Sequence, residues 1–146
     1  MPFAFDDAEY EPSPWGPVAD QVALYERTGG REGREWNGGV CIILTTLGAK
    51  SGKVRKTPLM RVEKDGSYAV VGSMGGAPTH PSWVHNLRAN PVARIQDRDV
   101  VHELRVREAE GEEKERWWAL ARQSWPDYDA YQEKTDRVIP LFVLEP

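Results

Sequence analysis

Apolar residues recur along this chain with two alternating periods, and the switches between them outline its elements. From Pro17, Val18, Val22 and Tyr25 share one face at helical spacing, and Gly29-Gly30 ends the pattern. After the glycine-rich connector GGREGREWNGG comes VCIILTTL, whose density of β-branched residues predicts a buried strand. VRKTPLMRVEKDGSYAVVGS reads as two strands turning at Asp65-Gly66, the strongest hairpin signal in the chain. Pro81 suits the first turn of a helix carrying Trp83, Val84 and Leu87, which Asn90-Pro91 stops. Residues 92–97 and 100–108 read as strands around DRD. In the second, Val100, His102, Leu104 and Val106 alternate with Val101, Glu103, Arg105 and Arg107. Residues 110–124 return to helical spacing, WPDYDAYQEKTDR reads as a further short helix, and VIPLFVLEP as a closing strand.

The order is helix, three strands, helix, two strands, two helices, strand. Hairpins dominate, so the expected fold is α+β and mainly β. Six short, mostly antiparallel strands with flanking helices favour a small, partly closed barrel over a doubly wound sheet. The 146 residues are expected to form a single domain, with the acidic, proline-bearing residues 1–16 as a surface arm on the domain 17–146.

A formal net charge of -4 argues against a nucleic-acid partner and makes any basic cluster a local feature. The single cysteine, Cys41, excludes an intramolecular disulfide and, in its apolar run, reads as a small buried hydrophobe. The start of the chain lacks the basic and apolar regions of a signal peptide, and no segment approaches the roughly 18 apolar residues of a membrane span. A cytoplasmic protein is expected.

One such basic cluster is LTTLGAKSGKVRKTP, where Lys50, Lys53, Arg55 and Lys56 lie within seven residues. It is not the standard nucleotide loop, which needs four residues between its glycines and Ser or Thr after Gly-Lys. Ser51 and Thr57 add hydroxyl donors, and Gly48 and Gly52 can let backbone N–H groups converge on an anion. A second stretch, GSMGGAPTHPSW, has the glycines and prolines that bring a backbone close to a flat ligand. Trp83, Asn86 and Leu87 then lie on one side of the following helix. In a third, Tyr128 and Tyr131 are three residues apart, so both phenols point the same way. Taken singly, each also reads as plain structure: a solvated turn, a strand-to-helix connection, an aromatic pair. His80, His85 and His102 lack metal-site companions, and no serine has a nucleophile-elbow context. Absence of a protein-borne nucleophile, base or metal is what a site has when a cofactor carries the reaction.

Taken together and in order, TTLGAKSGKVRKTPL, GSMGGAPTHPSWVHNLRANP and YDAYQEKTDRVIPLFVLEP resemble the deazaflavin-dependent nitroreductase family, split-barrel reductases of the FMN-binding-like superfamily that use coenzyme F420. The resemblance runs from about Ile42 to Pro146. It implies that Lys50, Ser51, Arg55, Lys56, Thr57 and Pro58 hold the cofactor's phosphate and the start of its oligoglutamate tail. It also implies that Ser73, Met74, Gly75, Gly76 and Ala77 lie against the deazaflavin ring, supported by Trp83, Asn86 and Leu87. Tyr128 and Tyr131, with Trp125, would flank the substrate. Tyr128, Tyr131 and Ser73 are the candidates for stabilising a developing oxyanion or relaying a proton. The implied reaction is hydride transfer from the reduced 8-hydroxy-5-deazaflavin to a planar electron-poor acceptor such as a quinone, nitroaromatic or activated enone.

Two positions depart from the family pattern. Met74 stands where a basic residue is frequent, and Trp125 where tyrosine is common. Two alternatives stay open, an FMN-dependent split-barrel oxidoreductase and a non-catalytic deazaflavin carrier. A homodimer is among the possible oligomeric states.

Overall fold

The computed structural model describes residues 5–36 and 38–146, with Trp36 described by its backbone only. The elements are α1 (Gly16–Thr28), β1 (Glu35–Trp36), β2 (Gly39–Leu47), β3 (Val54–Met60), β4 (Glu63–Lys64), β5 (Ser67–Val71), a 3-10 turn (Met74–Gly76), α2 (Ser82–Ala89), β6 (Val92–Asp97), β7 (Val100–Glu108), α3 (Gly111–Ser124), α4 (Tyr128–Glu133) and β8 (Leu141–Glu145). The six longer strands match the six expected. Two short strands, β1 and β4, are additional, and both exist only as partners in a ladder, β1 on β2 and β4 on β5. The expected first arm of the hairpin is broken at Arg61-Val62. There the Arg61 side chain reaches Asp97 and the Val62 carbonyl accepts from the Ala69 N–H.

Every ladder is antiparallel, and the strands follow the order β3-β2-β6-β7-β8-β5-β4, with β1 beside the first residues of β2. Among the described residues no ladder joins β3 back to β4 or β5, so the sheet is open where a partly closed barrel was expected. The outer edge of β3 is otherwise occupied. Pro58 offers it no N–H, and the acidic arm pairs with its first residue: Glu11 N–H donates to the Val54 carbonyl (2.9 Å), and Val54 N–H to the Glu9 carbonyl (2.7 Å).

Alternation along the strands buries side chains on both faces. Ile42, Leu44, Val70, Ile95, Leu104, Phe142 and Leu144 pack with Trp83, Val84 and Leu87 of α2. On the opposite face Ala69, Val71, Leu141 and Val143 pack under Ala121 of α3 and Tyr128 of α4. The α1 face carrying Val22 and Tyr25 covers Ile43. The expected alternation in β7 holds at Leu104 and Val106 but fails at its start, where Val100 and Val101 are both exposed. At this end of the sheet Asp97 is buried, accepting from the Tyr68 hydroxyl (2.6 Å) and twice from Arg61 Nε (2.9 and 3.1 Å).

Candidate functional site

The three sequence stretches converge on one cavity of about 650 Å³. Its wall includes Arg55, Lys56, Thr57 and Pro58 from β3, Ser73, Met74 and Gly75 from the 3-10 turn, Trp83 and Asn86 from α2, and Trp125, Tyr128 and Tyr131 around α4. Lys50, Ser51, Gly76, Ala77 and Leu87 lie outside that wall. Leu87 is core, and Gly76 packs against Tyr131 and Lys134.

The basic stretch is not an open loop. Only Gly48 to Lys53 form a turn, and Arg55 to Pro58 belong to the edge strand β3. Four of the turn's backbone donors are already used, while the N–H groups of Lys50 and Ser51 make no hydrogen bond among the described residues. Gly48 N–H donates to the Lys53 carbonyl, Gly52 N–H to the Gly48 carbonyl, Ala49 N–H to Asn86 Oδ1 and Lys53 N–H to Ser51 Oγ. Asn86 Nδ2 donates one of its two N–H groups to Thr46 Oγ1 (3.1 Å), so the residue fastens the turn and β2 to α2. At this end the groups that could meet an anion are the N–H groups of Lys50 and Ser51 and the side-chain cations.

Those cations are paired with carboxylates from the N-terminal arm and α1. Arg55 Nη1 lies 2.5 Å from Glu11, Lys56 Nζ 2.5 Å from Glu26, and Lys53 Nζ 3.5 Å from Glu9. Lys56 also sits 4.9 Å from the centroid of the Tyr10 ring. Lys50 makes no ion pair among the described residues. The carboxylate-bearing arm was not foreseen as part of the site; the acidic run DDAEYE and the basic stretch are opposite in charge, but no spacing in the sequence joins them. Trp15, Val18 and Gln21 extend the cavity wall from the same end of the chain.

At the other end, Trp125 Nε1 donates to the Tyr131 hydroxyl oxygen (3.1 Å), leaving the Tyr131 proton free to donate. Tyr128 meets the Tyr131 ring edge-on (6.2 Å between centroids), and its hydroxyl makes no hydrogen bond within the described residues. Burial, with the Tyr131 phenol beside it, pushes the Tyr128 pKa well above the usual tyrosine range, so it remains a protonated donor at neutral pH. Burial likewise pushes the Cys41 thiol, also on the cavity wall, up to about 11, which leaves it an inert apolar group.

The turn between these ends has an uncommon backbone. Ser73 is right-handed, Met74 has φ +47° and Gly75 φ +65°. A methionine in the left-handed region is strained, and it is held there by its surroundings. Arg137, which no sequence signal singled out, supplies much of that hold. Its guanidinium donates to the carbonyls of Gly72 (3.0 Å), Ser73 (2.7 Å) and Ala77 (2.8 Å) and meets His80 Nδ1 at 2.8 Å.

A profile of F420H(2)-dependent quinone reductases matches residues 18–146. The chain belongs to that family. An F420H(2)-dependent quinone reductase of Mycobacterium tuberculosis is 34% identical over 126 residues, which is 84% of this chain and 85% of the relative. A solved F420-H2 dependent reductase is 55% identical, covering 72% of this chain and 93% of that one, with a TM-score of 0.69. Another solved relative, described as a domain-swapped dimer, is 47% identical over 86% of this chain and 94% of its own, with a TM-score of 0.72. A heme-binding protein of Mycobacterium smegmatis, 17% identical with a TM-score of 0.55, shares the fold alone. This family member is therefore an F420H2-dependent oxidoreductase, and its cofactor is coenzyme F420.

The cavity suits that group. A cation-bearing edge at one end matches a phosphate and carboxylate tail, and an apolar, aromatic and backbone-lined end matches a flat ring.

Proposed function

We propose that this enzyme reduces quinones, with the tail of F420 along Arg55 and Lys56 and its ring against Ser73, Met74 and Gly75. The observation that carries this reading is the single cavity joining that edge and turn to the phenols of Tyr128 and Tyr131. When bound, the reduced cofactor supplies a hydride, two electrons with one proton. A quinone needs one further proton to become a hydroquinone. Tyr131, its oxygen fixed by Trp125, and Tyr128, kept protonated by burial, are placed to donate hydrogen bonds to the acceptor's carbonyl as charge develops there. Ser73, 7% exposed with its hydroxyl unpartnered among the described residues, is a third donor on the same wall. Trp83 and Trp125 give the pocket flat apolar surface that orients a planar acceptor and excludes water.

Nitroaromatics and activated enones share the flat, electron-poor character of a quinone and complete the proposed acceptor range. In the same reading the chain works as one domain, the sheet corresponds to the split barrel of this superfamily with residues 1–16 as its arm, the enzyme acts in the cytoplasm, and two copies associate as a homodimer. Kinship with the domain-swapped relative supports the last point.

The test is a titration with oxidised F420, followed by turnover of reduced F420 with a panel of benzoquinones and naphthoquinones. Saturable binding and steady quinone-dependent oxidation are expected. Tight F420 binding without turnover would make the protein a carrier, and preference for FMN, which lacks the anionic tail, would overturn the assignment of the basic edge.

A further inference from the structure

We propose that Arg137 is a positioning residue that shapes the backbone at Ser73, Met74 and Gly75 into a receptor for negative charge on the flat ring of the cofactor. The proposal rests on the cofactor placement above.

Three observations converge on it. The first is conformational. A right-handed residue followed by a left-handed one turns successive N–H groups to a common side, making a concavity that binds anions. Ser73 and Met74 are such a pair, and Gly75 continues it. The second is that these donors are free. The N–H groups of Ser73, Met74 and Gly75 make no hydrogen bond within the described residues, whereas those of Gly72, Gly76 and Ala77 on either side do. All three residues line the cavity.

The third is the position of Arg137. A trans peptide points its C=O and N–H in opposite directions. The Gly72 and Ser73 carbonyls are drawn to Arg137, so the N–H groups of Ser73 and Met74 face away from it. A guanidinium behind the carbonyls also polarises both peptides, strengthening the donors in front. Arg137 has no carboxylate partner among the described residues; its partners are three carbonyls and a histidine nitrogen. Its positive charge is thus not cancelled locally. The same segment is tied to α4, since Gln132 Nε2 donates to the Arg137 carbonyl (2.8 Å) and Gln132 Oε1 accepts from the Ile139 N–H (2.9 Å). The receptor and the phenol-bearing helix therefore form one connected wall.

The ligand chemistry follows. The 8-hydroxyl of a deazaflavin is conjugated with its ring carbonyls, so ionisation spreads negative charge onto those oxygens. An array of fixed backbone donors favours that anion over the neutral ring. Titratable groups facing the turn are His80, with His85 beside it, Tyr128 and Tyr131 of α4, Lys134 just after it, and Arg55, Lys56 and Cys41 across the cavity.

The experiment reads the absorbance of bound oxidised F420 against pH, with its dissociation constant, for wild type, Arg137→Met, Arg137→Lys and His80→Gln. Wild type should lower the apparent pKa of the bound ring by about one unit, equivalent to about tenfold tighter binding of the anion. Arg137→Met should return the ring to its free pKa and lose that tenfold, while binding of the neutral ring at low pH persists. His80→Gln should keep the shift. Arg137→Lys carries the charge without the fork and should recover only part of it; full recovery would mean that charge alone acts and would overturn the nest. Should Arg137→Met fail to fold, Ser73→Pro against Ser73→Ala decides. Proline fits φ -75° and deletes one free N–H, so only Ser73→Pro should weaken the shift. An unchanged ring pKa in wild type, or a shift surviving both Arg137→Met and Ser73→Pro, would overturn the proposal. No F420 binding by wild type would instead overturn the cofactor placement.

Discussion

Glu26→Gln is expected to tighten F420 binding. In the free protein Lys56 is already held by Glu26 at 2.5 Å, so an anionic tail must compete with a resident carboxylate. Neutralising Glu26 removes the competitor. The cation stays in place, because Lys56 also rests on the Tyr10 ring. Partly exposed ion pairs are worth about 0.2–1 kcal/mol. The Lys56–Glu26 pair is the most sheltered of the three, with side chains 18% and 35% exposed, and belongs at the top of that range. A gain of about fivefold in affinity follows. Glu11→Gln, at a pair 32% and 45% exposed, should gain less. Glu9→Gln, at 3.5 Å with 41% and 74% exposure, should gain under about 1.5-fold. Fluorescence titration with oxidised F420 at low salt and at about 0.5 M salt measures the series, and the differences should shrink as salt screens the charges. A fragment lacking the phosphate and tail should show no gain at all. Weaker binding of F420 by Glu26→Gln would mean that the carboxylate positions Lys56 and does not compete, and would refute the reasoning.

Three further outcomes follow from the geometry. Arg55→Ala should weaken F420 binding by about 1.5–3 kcal/mol, the range for hydrogen bonds to charged groups, and should spare the tail-free fragment. Tyr128→Phe should leave the dissociation constant nearly intact and lower turnover, with about 2.7–4 kcal/mol of barrier as the ceiling because Tyr131 and Ser73 remain as donors; the comparison of dissociation constant with turnover number checks it. Asp97 is opposed by its burial, which alone would raise its pKa, but hydrogen bonds from Tyr68 and Arg61 outweigh that and hold it below the usual carboxylate range. It therefore stabilises the fold above about pH 4 and loses that contribution as pH falls through its depressed pKa. Asp97→Asn should lower stability at pH 7 by about 2–3 kcal/mol and flatten this acid limb, as read by urea denaturation between pH 3 and 7.

Elements whose formation depends on a repeating pattern were legible in the sequence. The Val22 and Tyr25 face, the 92–97 and 100–108 strands and the Asp65-Gly66 turn all stand where periodicity and turn chemistry put them. β1 and β4 were not legible, because a two-residue strand has no period of its own and exists through its partner. Openness of the sheet was hidden for a similar reason. It shows only in which edges find partners: among the described residues no ladder joins β3 to β4 or β5, and the arm at Glu9 and Glu11, more than forty residues away in sequence, pairs with the start of β3.

In the site, residue types were legible but the division of labour among them was not. Glycine spacing suggested that Gly48 and Gly52 would present backbone donors, yet the Lys53 and Gly48 carbonyls consume those donors. Glycine permits a conformation; only the surrounding acceptors decide whether its N–H stays free. Free donors lie also at Ser73, Met74 and Gly75, and Arg137 behind them left no trace in the sequence because three of its four partners are main-chain carbonyls, which every residue carries. The resulting arrangement has a physical logic. Side-chain cations stand on the partly exposed edge of β3, where in the proposed placement a flexible tail would meet them without full desolvation. Fixed peptide dipoles and neutral phenols line the end where water must be excluded. A lysine placed there would need its own burial compensated, whereas a backbone N–H supplies the same sign of potential at far smaller desolvation cost.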